Sequence, residues 1–189
     1  FSDHCLVLDA SSLQSGEIPL EDMKKMRSSI MLLGALLGRL GEAVTSYPGG
    51  CSIGKRPIDL HLEALRAMGA DIQDDGICIR AGTKKLHGAR ISLRFPSVGA
   101  TENILLAAAA ADGVTVIENP AREPEITELC LFLQKMGVRI TGAGTGMICV
   151  RGGSGLCDTS YQIPGDRIVA GTYLAAAAAA GGDVCLTGV

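Results

Sequence analysis

The sequence predicts an α/β protein: an inside-out, barrel-like domain of repeated units, with buried central helices surrounded by sheets and outer helices. Three observations support this prediction. A pattern of apolar helix, glycine and short strand recurs at intervals of about 70 residues. The first helix of each unit is apolar nearly all round, which is typical of a helix buried among other elements. The second helix of each unit is amphipathic, so it is expected on the outside.

The first nearly full unit spans residues 27–93, after the tail of another at 1–18. Its central helix ends at Gly41 and its outer helix at Gly69, because glycine readily adopts the left-handed conformation that ends a helix. Asp75-Gly76 predicts a tight hairpin turn. The elements expected are, in order, a helix at 30–40, a strand at 43–45, an amphipathic helix ending at 68, and strands ending at 72, at 77–81 and, closing the unit, at 89–93.

A second unit at 97–163 repeats this order, and a further unit starts at 166. Residues 65–72 match residues 133–140 as the end of an amphipathic helix, a glycine cap and a strand. The glycines at 142–146 precede an apolar run and no helix, so they predict a hairpin turn and not a phosphate loop. The remaining expected elements are a central helix at 105–111, strands at 114–117 and 147–151, a third central helix at 174–180 and a strand at 184–186.

The composition is typical of a soluble globular protein, because 47% of the 189 residues are hydrophobic and 20% are charged. The net charge of −3 offers no general surface for nucleic acid or a membrane, so neither is expected as a partner. The apolar stretches at 30–40 and 175–180 are too short to span a bilayer. The chain begins with Phe1 and stops in a strand-like run, so both ends are expected to be cut.

The seven cysteines predict free thiols in a reducing compartment. Their number is odd, several lie in apolar strand-like runs, and no Cys-x-x-Cys or His-x-x-x-His pair occurs. We therefore expect a cytoplasmic protein without a disulfide framework or a metal site. Separately, no cofactor is expected.

The loop around Cys51 is the main candidate for chemistry. Glycines surround the thiol, Lys55 and Arg56 follow it, and Pro57 and Asp59 suit the first turn of a helix. A helix N-terminus with two cations lowers the pKa of a thiol and holds anions, which favours a reactive cysteine facing an anionic substrate. The alternative is a small buried cysteine beside an ordinary turn.

Two other segments place polar groups at helix starts. Ser97-Val98-Gly99 opens the second central helix, where free N–H groups can bind a phosphate or a carbonyl; a plain helix cap is the alternative. Arg122 and Glu123 occupy, in the second unit, the place that the Cys51 loop has in the first. The alternative there is a solvated helix start with a local ion pair.

Three single residues complete the candidate set. Arg27 precedes the first central helix and is placed to reach an anion, with solvent exposure as the alternative. Asp166 precedes the third central helix. His61 is expected in the first turn of the outer helix, on the side of the Cys51 loop, whereas His4 and His87 receive no role.

Taken together, five ordered motifs resemble the enolpyruvyl transferases, and within them the branch that uses UDP-N-acetylglucosamine. They cover the chain from about residue 4 to its end. The shikimate-pathway branch shares the fold and remains an alternative, but it lacks the Pro-Gly-Gly-Cys loop. The motifs lie at residues 26–30, 48–61, 97–101, 121–126 and 164–168.

The resemblance implies a two-domain enzyme of six related units, of which this chain supplies less than half. Residues 1–163 would form most of the domain that carries the cysteine loop, and residues 164–189 the start of the second domain. The remainder of the enzyme is then a partner of the chain, which is expected to be inactive alone. Phe95 stands where the family sometimes has a lysine, so one contact to the uridine side is expected to differ.

The resemblance also implies a reaction: transfer of the enolpyruvyl group of phosphoenolpyruvate to the 3′-hydroxyl of UDP-N-acetylglucosamine, with release of phosphate, in cell-wall peptidoglycan synthesis. It makes Cys51 the acid, a site of covalent adducts and the target of fosfomycin. Arg56 would contact phosphate, and Arg27 would hold anionic groups. The residues expected to line the nucleotide-sugar site are Pro57, Ile58, Asp59, Leu60, Ser97, Val98 and Gly99, and further polar candidates in the cleft are His61, Arg122, Glu123 and Asp166.

Two alternatives belong to other classes. One is a non-catalytic fragment that binds a nucleotide sugar. The other is an RNA-end-processing enzyme of related architecture, against which the net charge of −3 argues.

Overall fold

The structure is a computed structural model that describes residues 5–47, 49 and 57–189, without the side chain of Leu20. Its helices are α1 (Leu20–Lys25), α2 (Leu32–Leu40), α3 (Asp59–Ala67), α4 (Val98–Ala110), α5 (Pro124–Lys135) and α6 (Arg167–Ala180), with a 3-10 turn at Arg27–Met31. Its strands are β1 (Glu42–Ser46), β2 (Asp71–Asp74), β3 (Cys78–Gly82), β4 (Arg90–Ser92), β5 (Val114–Glu118), β6 (Arg139–Thr141) and β7 (Met147–Arg151). The chain divides into two compact units, one ending at Asp158 and one spanning Thr159–Val189.

The strands form two sheets, and both lie in the compact unit that ends at Asp158. One has the order β1-β3-β2 and is antiparallel throughout. The other has the order β4-β5-β7-β6, with β4 parallel to β5 and the other pairs antiparallel. The β2–β3 and β6–β7 pairs confirm both predicted hairpins. In the second hairpin turn, Gly142 and Gly144 have φ values of +82° and +75°, a region that favours glycine.

Strand β4 corrects the predicted boundary of the first sequence repeat, residues 27–93. The sequence placed a strand at 89–93 at the close of that repeat, but β4 joins the second sheet, with Ile91 opposite Ile117 of β5. Parallel strands need a long crossover connection, and α4 supplies it, so β4, α4 and β5 form one βαβ element. A short alternating strand specifies its buried face but not the sheet that accepts it.

The core of the compact unit that ends at Asp158 is built around α2 and α4. Gly34 and Gly38 lie one turn apart on α2 and face α4. An ideal β-carbon at Gly34 would lie 2.5 Å from the backbone oxygen of Asn103, and one at Gly38 would lie 2.8 Å from the β-carbon of Ala110. Glycine at both positions therefore allows the two helices to approach closely. The burial of α2 and α4 confirms the central helices predicted for the first two sequence repeats.

The helices α3 and α5 each bury one face, as predicted for outer helices. On α5 the buried residues are Ile126, Cys130 and Leu133, at the i, i+4 and i+7 spacing of a helical stripe. On α3 the exposed positions include Glu63 and Arg66. The helix–sheet layering confirms the predicted fold class.

Three segments differ from the sequence predictions. Helix α1 was not predicted, because its six residues are too few to show a period. The strand expected at 184–186 does not form. Helix α6 buries only Ala170, although its sequence is apolar. Residues 159–189, all of which the structure describes, contain no other helix or strand.

Candidate functional site

The start of α3 differs slightly from the expectation for Pro57. Helix α3 begins at Asp59 and its N-cap is Ile58, so Pro57 lies just before the helix and not at its first position. The cap is Ile58, whose side chain is buried and cannot accept a hydrogen bond from the first turn. Leu60 is also buried, so these two side chains pack in the core and do not face a ligand. The carbonyl of Ile58 accepts from the N–H groups of His61 and Leu62.

Asp59 is tied to the segment that leads into α4. Its Oδ2 accepts a charge-assisted hydrogen bond from Arg94, and the same guanidinium lies 3.4 Å from Oε2 of Glu63. Arg94 lies between β4 and the start of α4. The predicted residues of the α3 start and those of the α4 start are therefore neighbours in space, although about 40 positions separate them in the chain.

The start of α4 has the geometry predicted for Ser97-Val98-Gly99. Ser97 is the N-cap, and its Oγ accepts from the backbone N–H of Ala100 at 3.3 Å. Val98 and Gly99 are half-buried. The remaining N–H groups of this first turn carry the partial positive charge of a helix start.

His61 connects three helical segments at this place. Its side chain is 5% exposed, and an ideal β-carbon at Gly99 would lie 3.3 Å from its Cε1 atom. Burial, and in second place the positive charge of Arg27, lower the pKa of His61 to about 4. The structure thus brings Arg27, His61 and Gly99 into one cluster.

Asn103 is a residue of this cluster that sequence reasoning missed. It is fully buried, and it hydrogen-bonds to His61 and to the backbone of Gly34 and Ile30. The available signal was an amide at the start of the apolar run of α4, which in a buried position requires partners.

Arg122 and Glu123 lie at the start of α5, as predicted. Glu123 is the N-cap, and its Oε2 accepts from the N–H of Arg122 at 2.8 Å. The guanidinium of Arg122 lies against the β6–β7 turn, 3.1 Å from where a β-carbon of Gly146 would be. A nearby carboxyl, Glu102, has its pKa raised by burial and by the charge of Glu125.

Asp166 belongs to the second compact unit. Its Oδ1 accepts from the N–H groups of Ile168 and Val169, at 2.8 and 3.0 Å, so it caps α6. Its role in a cleft stays a prediction.

Cys51 and Arg56 lie outside the described residues, so their roles stay predictions. The described cysteines are free thiols, and burial raises the pKa of the Cys130 thiol to about 11, which makes it a poor nucleophile. Within the described ranges, no group of three or more His, Cys, Asp or Glu side chains is arranged to hold a metal ion. No helix there is both long and apolar enough to cross a membrane.

The fold and the site define a repeat-built α/β protein in which two helix starts and a buried histidine form one polar cluster. A family model described as EPSP synthase (3-phosphoshikimate 1-carboxyvinyltransferase) matches residues 2–189. The chain therefore belongs to this family, which confirms the predicted resemblance to enolpyruvyl transferases.

Two curated relatives are similar over nearly the whole chain. UDP-N-acetylglucosamine 1-carboxyvinyltransferase 2 of Caldanaerobacter subterraneus is 53% identical over 184 residues, which are 97% of this chain and 44% of the relative. UDP-N-acetylglucosamine 1-carboxyvinyltransferase of Hyphomonas neptunium is 52% identical over 182 residues, which are 96% of this chain and 43% of the relative. The chain thus spans less than half the length of these relatives.

Solved structures share the fold. The enolpyruvyl transferase NikO from Streptomyces tendae aligns with a TM-score of 0.75 at 24% identity, over 89% of this chain and 40% of that protein. EPSP synthase from Acinetobacter baumannii aligns with a TM-score of 0.61 at 28% identity, over 80% of this chain and 34% of that protein.

Proposed function

We propose that this chain is part of an enzyme that transfers the enolpyruvyl group of phosphoenolpyruvate to the 3′-hydroxyl of UDP-N-acetylglucosamine. The observation behind the proposal is the 53% and 52% identity to two relatives named for this acceptor. The Pro-Gly-Gly-Cys loop around Cys51 also favours this acceptor over shikimate 3-phosphate.

The reaction is an addition followed by an elimination. A proton adds to the methylene carbon of phosphoenolpyruvate, and the 3′-hydroxyl oxygen bonds to the neighbouring carbon while its own proton passes to a base. Loss of a proton from the new methyl group then restores the double bond as phosphate leaves. Atoms and charges balance without an oxidant or reductant. Catalysis of this reaction requires an acid, a base and a cationic pocket.

Cys51 is the proposed acid, and Arg56 the proposed phosphate contact. Both precede α3, which begins at Asp59, so the loop leads into a helix N-terminus whose field favours a thiolate and bound anions. Arg27 is the proposed second cation, and its influence on the pKa of His61 supports a position beside this cluster. The general base is proposed to lie in the remainder of the enzyme.

The nucleotide sugar is proposed to bind where the starts of α3 and α4 meet. The pairing of Arg94 with Asp59 and the contact of His61 with Gly99 support this placement. N–H groups of the first turn of α4 suit a diphosphate oxygen. Backbone groups of Pro57, Ile58 and Leu60, and the Ser97-Val98-Gly99 turn, complete the proposed lining.

The wider setting follows from the same acceptor. The enzyme would act in the cytoplasm, in peptidoglycan synthesis, and fosfomycin would alkylate Cys51. Residues 1–163 would belong to the cysteine-loop domain and residues 164–189 to the second domain, with the rest of the enzyme as partner.

The test is phosphate release by the complete protein that contains this chain. Phosphoenolpyruvate with UDP-N-acetylglucosamine should release phosphate, and replacement of the acceptor by shikimate 3-phosphate should not. Cys51→Ser should abolish turnover, whereas Cys149→Ser, on strand β7, should leave it unchanged. Arg56→Ala should raise the KM for phosphoenolpyruvate. Turnover with shikimate 3-phosphate alone would overturn the acceptor, and full activity of Cys51→Ser would overturn the acid.

A further inference from the structure

The side-chain amide of Asn103 has an orientation that its backbone partners determine. Its Oδ1 accepts from the N–H of Gly34 at 2.8 Å, and its Nδ2 donates to the carbonyl of Ile30 at 3.2 Å. A backbone N–H only donates and a carbonyl only accepts, so the amide oxygen and nitrogen cannot be exchanged. Asn103 is fully buried, so bulk solvent does not compete with these backbone partners.

This orientation determines the tautomer of His61. The second N–H of the Asn103 amide faces Nδ1 of His61 at 3.0 Å. Because Nδ2 is a donor, Nδ1 must accept, and the proton of the neutral ring must lie on Nε2. A protonated ring would set two N–H groups against each other. Burial and the charge of Arg27 oppose that form as well.

The Nε2 edge of His61 lies against the first turn of α4. An ideal β-carbon at Gly99 would be 3.3 Å from Cε1 and 3.5 Å from Nε2. The absence of a side chain at Gly99 therefore allows this edge of the ring to lie close to the backbone of the first turn of α4. Ser97, the cap of the same turn, lies two residues away.

We propose that Asn103 is a positioning residue that holds His61 as a neutral imidazole, so that its Nε2–H donates to an oxygen of the nucleotide sugar at the start of α4. This inference rests on the proposed function for the identity of the ligand. His61 then binds substrate as a hydrogen-bond donor and carries no proton in the reaction. Asn103 acts only through His61 and does not contact the substrate.

The tautomer is tested by nitrogen NMR of the complete protein with 15N-labelled histidine, without substrate. His61 should show a bare Nδ1 and a protonated Nε2. His87 gives an internal reference of the opposite kind, because its Nδ1 lies 3.1 Å from the carbonyl of Gly88 and must donate. A protonated Nδ1 on His61 would overturn the proposal.

Two asparagine variants extend this test. Asn103→Asp keeps the acceptor for Gly34 and replaces the donor that faces His61 by a carboxylate oxygen, so Nδ1 of His61 should gain a proton. Asn119→Asp makes the same chemical change at the other asparagine of the chain and should leave the His61 signals unchanged. Identical His61 signals in wild type and Asn103→Asp would contradict the role of Asn103.

Two histidine variants separate binding from structure. His61→Gln retains an N–H near the Nε2 position but loses the acceptor for Asn103, whereas His61→Asn retains an acceptor near Nδ1 and loses the distant donor. Titration calorimetry with UDP-N-acetylglucosamine should show a Kd raised about tenfold or more for His61→Asn, since this variant loses a hydrogen bond to a charged ligand. His61→Gln should change the Kd by less than about threefold. The reverse order would mean that the ring only supports Asn103, and would overturn the proposal.

Different measurements would refute the proposed function and the inference on Asn103 and His61. A wild-type protein that releases no phosphate refutes the enolpyruvyl transfer, while the NMR signals and the order of the two Kd values still decide the roles of Asn103 and His61. An active wild-type protein with the other tautomer refutes the inference on Asn103 and leaves the proposed function intact.

Discussion

The hydroxyl group of Thr101 joins the start of α4 to the loop before α5, because its Oγ1 accepts from the backbone N–H of Ala121 at 3.1 Å. The same hydroxyl donates to the carbonyl of Ser97 at 2.8 Å. Thr101 and Ala121 are both fully buried. The Thr101 hydroxyl therefore helps to hold the segment with Arg122 and Glu123 against the segment with Ser97.

Thr101→Val is expected to destabilise the protein by about 1–3 kcal/mol, because it leaves the buried N–H of Ala121 without a partner. Thr115→Val is the matched control. Thr115 is equally buried, but its Oγ1 has no hydrogen-bond partner among the described residues, so valine there should be neutral or stabilising. Urea unfolding of the complete protein measures both, and equal losses from the two variants would contradict the structural role of Thr101.

Gly34→Ala is expected to destabilise the α2–α4 packing by about 1–3 kcal/mol. The added methyl group would lie 2.5 Å from the backbone oxygen of Asn103, which cannot move away as a flexible side chain would. Gly82→Ala is the control, because no atom lies within 4 Å of the position of its β-carbon. The comparison is made by thermal unfolding, where a Tm for Gly34→Ala equal to that of Gly82→Ala would show that the helices are not in close contact.

Acidification is expected to reduce stability through His61. Its pKa falls from 6.5 to about 4 on folding, through burial first and the charge of Arg27 second. The unfolded chain therefore binds the proton at a higher pH than the folded protein does. The free energy of unfolding keeps the full contribution of neutral His61 above about pH 6.5. It then decreases by about 3 kcal/mol in total as the pH falls toward 4.

The pH effect is isolated by comparing wild type with His61→Gln, which cannot titrate. Free energies of unfolding in urea at pH 7 and pH 4.5 should differ more for wild type than for the variant. Parallel losses in the two proteins would assign the acid sensitivity to other groups.

Arg94→Ala is expected to weaken binding of UDP-N-acetylglucosamine several-fold with little loss of stability. Arg94 and Asp59 have side chains that are 53% and 40% exposed, and such surface pairs contribute less than about 1 kcal/mol to folding. The effect on binding should arise because Asp59, in the proposed nucleotide-sugar site, loses the group that orients it. Calorimetry gives the Kd and urea unfolding the stability.

The matched control is Arg90→Ala, which breaks the exposed pair between Arg90 and Glu118 in the second sheet. It should leave the Kd unchanged. A Kd that rises equally in both variants would indicate a general effect of charge and no specific role for Arg94.

Local patterns predicted most of the elements but not all of their partners. The apolar period and the glycine caps marked α2, α4 and the outer helices because these signals need only neighbouring residues. Strand β4 was found but placed in the wrong unit, since nothing in a three-residue strand states which sheet it joins. The strand expected at 184–186 does not form, so an apolar run alone was not sufficient evidence for a strand.

The sequence by itself determined the repeated order of helices and strands, the family motifs and the clustering of candidate residues at helix starts. These properties follow from periodicity, caps and short motifs, which are local. The tertiary structure alone decided that Asn103 faces His61 across 42 positions of chain, that Gly99 lies against the same ring, and that Arg94 reaches Asp59. Hydrogen-bond partners of buried polar groups are chosen by packing between distant segments, so no local pattern could specify them.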